Sequence, residues 1–106
     1  MSEKKDISRK TIVNPKTADI LELMGGQIRQ ARMRRGISVE LVAERAGISR
    51  SSVWKVEKGS PSVSMGIYAK VLAAIGLQEN LLLIAGDDRA GRSLRDEVLK
   101  NIGGRV

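Results

Sequence analysis

Between Ser49 and Gly59 the chain carries Arg50, Ser51, Trp54, Lys55 and Lys58, spaced so that a helix through them would turn Val53 and Val56 to the opposite side. Arginine and lysine side chains only donate hydrogen bonds, a serine hydroxyl donates and accepts, and an indole adds an apolar face. Arg50 and Lys55 can each donate to the O6 and N7 acceptors of guanine in a major groove, a readout worth about 1–3 kcal/mol for a good bidentate pair. Ser51 discriminates less. Two roles are open to Trp54, one step from the inward Val53: it lies on the flank of the core, or it meets a sugar or a thymine methyl. A basic side chain that reaches only phosphate would hold register without reading sequence.

Phosphate positioning is expected elsewhere on the same segment. Helix N-termini present unpaired amides to anions, which nominates the amides beside Ser38 and Val39 and those beside Ser49. Lys58 and Ser60, past the end of the second of these helices, are the other candidates. Lys4, Lys5, Arg9 and Lys10 form a cationic run near the start of the chain. Such a run is either solvated or laid along phosphates or a minor groove. Arg29, Arg34 and Arg35 are expected to add only to the field.

Other chemistries lack their residues. Cysteine and histidine are both absent, which removes disulfides, thiol chemistry, the usual metal ligands and the usual proton shuttle. Asp87-Asp88 and Asp96-Glu97 are acidic pairs in a polar terminal segment, with no nucleophile and base beside them, and read as solvated charge. Gly25-Gly26 and Gly103-Gly104 lack the strand and the lysine spacing of a phosphate-binding loop. No catalytic residue, cofactor or metal is therefore expected. With 19 Lys and Arg against 12 Asp and Glu, the net charge of +7 favours polyanionic partners. Single-stranded nucleic acid is disfavoured, because Trp54 and Tyr68 are the only aromatic residues available for stacking. The charged N-terminus and the lack of an apolar run near about 18 residues lead to the expectation of a soluble, cytoplasmic protein without a membrane partner.

The elements that would position these side chains are all helical, and no strand signal is present. Ser38 can cap a helix whose inward stripe is Val42, Ala43 and Ala46. Gly47 supplies a left-handed turn, Ile48 returns to the core, Ser49 caps the next helix, and Gly59 ends it. The pair spans 39–58. Ahead of it, residues 1–19 read as a basic arm with little structure, Thr17 as a cap, and Ile20, Leu23, Met24, Ile28 and Ala31 as a helical stripe ending near Gly36. Gly25-Gly26 interrupts that stripe, as a kink or as the true start of the helix. After the loop 59–64, a helix from Met65 to Ile75 should bury Ile67, Val71, Leu72 and Ile75, and a fifth should run from Gln78 to Ala85. The domain thus spans 20–86.

Leu81, Leu82, Leu83 and Ile84 are consecutive, too wide an arc for one buried stripe. Either a small domain buries them all, or the surplus forms a two-fold homodimer interface, which would set two reading helices about 34 Å apart on a palindromic site. The extension 87–106 contains a possible helix from Ser93 with Leu94, Val98, Leu99 and Ile102 along one side. That helix packs on its own domain or docks on another protein.

Residues Met24 to Gly76, about half the chain, resemble the Cro/cI-type (XRE) DNA-binding domain of phage repressors and many bacterial regulators, through Arg32, Gly36, Ser38, Ala43, Gly47, Ser49, Glu57 and Gly59. The resemblance implies an all-α, five-helix, lambda-repressor-like domain that binds double-stranded DNA. It also implies an ion pair between Arg32 and Glu57 that ties the first helix to the third. Val39 stands where many relatives carry a glutamine bridging a phosphate and the reading helix, so that clamp is absent. The loop and helix GSPSVSMGIYAKVL are similar to the HipB-like branch, the DNA-binding antitoxins encoded with HipA-type kinase toxins. This narrower likeness implies an autoregulating repressor that binds its own promoter as a dimer and recruits the kinase. The other reading is a free-standing phage or chromosomal repressor, with the same reading helix and no toxin partner.

Overall fold

The computed structural model describes residues 11–86 and 88–101. The arm residues Lys4, Lys5, Arg9 and Lys10, together with Asp87, Ile102, Gly103 and Gly104, lie outside them. Among the described residues five α-helices follow one another, α1 Pro15–Arg34, α2 Val39–Ala46, α3 Arg50–Glu57, α4 Met65–Ala74 and α5 Arg89–Asn101, with a 3-10 helix Gln78–Leu83 between the last two. The described residues include no strand.

Side-chain oxygens start the first four helices. Asn14 Oδ1 accepts from the Thr17 amide at 2.8 Å, Ser38 Oγ from Leu41 at 3.1 Å, Ser49 Oγ from Ser52 at 3.1 Å and Ser64 Oγ from Ile67 at 3.2 Å. Each bond satisfies an amide that the helix itself cannot pair. Thr17 is therefore not the cap of the first helix. Asn14 takes that place because Pro15 follows it, and a proline at the first helical position has its φ already set and no amide to leave unpaired. Residues 15–19 consequently belong to α1, which shortens the arm expected over 1–19.

Helix α1 also runs unbroken through Gly25-Gly26. From Gly25 onward it lies against α3, and Ile28 and Ala31 enter the core. Its first turns extend past the core, so Ile20 and Leu23 are exposed despite their helical spacing. Helices α2, α3 and α4 pack on one another, and the 3-10 helix rests on α4. Val42, Val53, Val56 and Val71 are fully buried at the centre, each contributing about 1.5–3 kcal/mol relative to an exposed side chain. Tyr68, Ala74 and Ile75 complete the α4 side, where Ile67 and Leu72 are only half-buried.

Two further elements differ from expectation. Residues 78–83 form a 3-10 helix rather than an α-helix running to Ala85, since no side chain caps the segment and short connectors favour the tighter winding. Helix α5 begins at Arg89 instead of Ser93, because Asp88 Oδ1 accepts from the Gly91 amide at 3.1 Å. Asp88 is a capping residue, not merely a solvated charge.

Candidate nucleic-acid interface

The orientation of α3 follows from its apolar positions. Val53 and Val56 are 0% exposed, which fixes the rotation of the helix about its axis and turns the intervening positions outward. Arg50, Ser51 and Lys55 are exposed, and Trp54 is 51% exposed. Lys58, the C-cap of α3, is exposed as well.

What holds α3 against the rest of the domain is specified locally. Gly47, at φ 68° and ψ 36°, makes the left-handed turn between α2 and α3, and its amide closes α2 on the Ala43 and Glu44 carbonyls. A residue with a Cβ would be strained there by about 1–2 kcal/mol. On the far side, Arg32 Nε donates to Glu57 Oε2 at 2.6 Å and Nη2 donates to Oε1 at 3.1 Å, a two-pronged pair whose side chains are 12% and 5% exposed. Its Nη1 donates to the Ile37 carbonyl at 2.9 Å. The guanidinium thus joins α1, the chain entering α2 and the end of α3. Its partner carboxylate raises the arginine pKa, chiefly through that hydrogen bond.

The loop after α3 is fixed from the core. Tyr68 hydroxyl donates to the Ser60 carbonyl at 2.7 Å, and the Ser62 amide donates to Ser60 Oγ at 3.2 Å. Burial pushes the Tyr68 phenol above its ordinary value of 10.0.

At the other phosphate-binding candidates, the hydroxyls of Ser38 and Ser49 are engaged as caps, and Ser49 Oγ also donates to Ser52 Oγ at 3.1 Å. Val39 is half-buried at the head of α2.

One residue of this surface carried no sequence signal. Glu40 Oε2 lies 3.2 Å from Arg50 Nη1, joining the first turn of α2 to the first turn of α3. An acid in a first turn reads simply as a match for the helix dipole. The Glu40 carboxyl is held below the usual carboxylate range, first by a hydrogen bond from its own backbone amide and then by Arg50.

Farther from this face, Arg35 Nη1 caps the Ala31 carbonyl and Arg45 Nη1 the Ala74 carbonyl, each at 3.0 Å. In the leucine run Leu81 is half-buried, whereas Leu82, Leu83 and Ile84 are 78%, 71% and 64% exposed. Leu94 and Val98 of α5 are exposed too.

Two capped helices joined at a left-handed glycine, the second held by buried valines with its polar side outward, are matched by the sequence model of the helix-turn-helix domain over residues 23–83, more than half of the chain. The chain belongs to the helix-turn-helix domain family. The matched span runs from the middle of α1 to the end of the 3-10 helix, so the helix-turn-helix domain includes both buttresses of α3, the Arg32–Glu57 pair and the Tyr68-held loop. DNA is the partner that this domain type implies. No curated protein matches the chain. Among the described residues, no helix is long and apolar enough to cross a membrane.

Proposed function

We propose that the chain is a sequence-specific repressor that binds double-stranded DNA as a homodimer on a palindromic operator. The reading rests above all on α3, where Val53 and Val56 are buried and Arg50, Ser51, Trp54 and Lys55 are left to a major groove. Arg50 and Lys55 read guanine edges, Trp54 supplies apolar contact, and Lys58, Ser60 and the first-turn amides beside Val39 and Ser49 hold phosphates. Dimerisation is supported by Leu82, Leu83 and Ile84, which the monomer leaves exposed. A two-fold axis through them would bury that surface twice and present the reading helices to successive turns of the duplex.

Within that role, the protein is the autoregulatory, HipB-like component of a type II toxin-antitoxin module with a HipA-type kinase, acting in the cytoplasm. Two features support this finer reading, the GSPSVSMGIYAKVL segment and the exposed Leu94 and Val98 of α5, which a second protein could cover. The protein itself is a binding module and not an enzyme.

Selection of bound duplexes from random DNA tests the repressor reading. Enrichment of a two-fold symmetric motif supports it, and no enrichment over the input pool overturns it. Recovery of native complexes then separates the antitoxin from a free-standing repressor: a kinase must accompany the DNA for the antitoxin role to stand.

A further inference from the structure

The C-terminal ends of α1, α2 and α4 border a common cleft of about 580 Å³, to which α3 contributes no residue. Ile37, Ala46 and Ile75 supply apolar wall, and Arg35, Arg45 and Lys70 stand around it as cations. Among the described residues, none of the lining side chains is acidic.

The helix ends do not account for all of this charge. Each C-terminus carries about −0.5 of an elementary charge, so the cations leave a surplus of roughly one and a half positive charges. Arg35 Nη1 donates to the Ala31 carbonyl and Arg45 Nη1 to the Ala74 carbonyl, each at 3.0 Å. One carbonyl bond apiece fixes the two guanidiniums without exhausting their donors. Neither has a carboxylate partner among the described residues, and Lys70 has no hydrogen-bond or ion-pair partner among them. A concave site of this volume, with apolar walls and a few converging polar groups, has the dimensions and chemistry of a small-molecule pocket.

We propose that this cleft binds a small organic anion, a carboxylate carried on an apolar body, with the carboxylate paired to Arg35, Arg45 and Lys70 and the body set against Ile37, Ala46 and Ile75. Guanidinium forks match the planar geometry of a carboxylate, and pre-positioned forks lose less freedom on pairing. Binding here is independent of the DNA contacts assigned to α3, since that helix takes no part in the cleft.

Amide NMR titrations of the full chain at fixed ionic strength test the site with three probes: benzoate, benzyl alcohol as the ring without the charge, and inorganic phosphate as the charge without the ring. Benzoate should give saturable shifts centred on Ile37, Ala46, Ile75 and Gly76, and the other two should bind at least about tenfold more weakly. Lys70→Gln should weaken benzoate by about three- to tenfold. Ala73→Leu, which fills the cleft and keeps its charges, should abolish the shifts. Both positions are exposed, so both variants should melt close to wild type. Phosphate binding as tight as benzoate would reduce the site to general attraction by a basic surface, and benzyl alcohol binding as tight would reduce it to apolar adsorption. Either result overturns the proposal, as would benzoate shifts centred on the exposed Leu82 and Leu83 or left unchanged in both variants.

Discussion

Gly25 of α1 meets Gly59, the residue just past α3, at a distance that excludes a side chain on either one. A methyl group at Gly25 would stand 2.5 Å from the Gly59 amide nitrogen and 2.7 Å from the Val56 and Glu57 carbonyls, and one at Gly59 would enter the Leu21 carbonyl. The opposing atoms are backbone and cannot rotate aside. This contact sets how closely α1 approaches the end of α3.

The neighbouring glycine gives the control. Gly26 has open space around it, and a glycine within a helix costs about 0.5–1 kcal/mol relative to alanine. Gly26→Ala should therefore stabilise the domain by about that amount, while Gly25→Ala should destabilise it by about 1–3 kcal/mol through overpacking. Urea denaturation of the two variants checks the contrast. Similar midpoints would mean that α1 does not close on α3 as described.

The Arg32–Glu57 pair should behave as a buried unit. Removing one member leaves the other charged and unpaired, so Arg32→Ala or Glu57→Ala should cost about 3–5 kcal/mol. Replacing both together, as in Arg32→Met with Glu57→Leu, should cost less than either single change, because no orphaned charge remains. A double variant as unstable as the sum of the singles would show that the two side chains act independently.

Glu40 and Arg50 pose a different case, since both are largely exposed and the pair joins the first turns of α2 and α3. Such pairs contribute little to stability, but this one fixes where the Arg50 guanidinium points. Glu40→Gln should leave the melting temperature nearly unchanged, raise affinity for random duplex by removing a negative charge, and lower the ratio of operator to random binding. Anisotropy titrations on both duplexes measure it, and a ratio equal to wild type would show that Glu40 does not orient Arg50.

Tyr68 gives the domain a pH dependence at the alkaline end. Its folded-state pKa lies above the ordinary 10.0, so its contribution is fully present below pH 10.0 and is lost as pH rises through the folded value. Tyr68→Phe should remove that component and, by leaving the Ser60 carbonyl without its donor, cost about 1 kcal/mol near neutrality. Stability profiles of the two proteins should converge as pH climbs past the window. Parallel profiles would assign the alkaline loss to other groups.

Most of the helical framework was legible because its signals are local. Ser38 and Ser49 each bond an amide three residues on, and Gly47 stands where only a left-handed residue closes the turn, so nearby sequence was sufficient. Long-range geometry was not. The Gly25-Gly26 pair reads as a helix breaker until Gly59 is seen packed against it. Glu40 pairs with a residue ten positions away on another helix, a spacing with no periodic signature. Asn14 displaced Thr17 as the cap because a proline's preference for the first helical position outweighed an apolar stripe that began only at Ile20. The leucine run was legible as a surplus of apolar surface, but not as a 3-10 helix, since periodicity over six residues cannot separate the two windings.

The central claim is that the outward residues of α3 read bases while the residue at its end holds phosphate, and affinities of Arg50→Ala, Lys55→Ala and Lys58→Ala on operator and random duplex test it directly. Arg50→Ala and Lys55→Ala should each lose about 1–3 kcal/mol on the operator and relax preference at particular base pairs, whereas Lys58→Ala should weaken both duplexes alike and reduce the salt slope by about one unit. Equal losses on operator and random DNA for all three would contradict it.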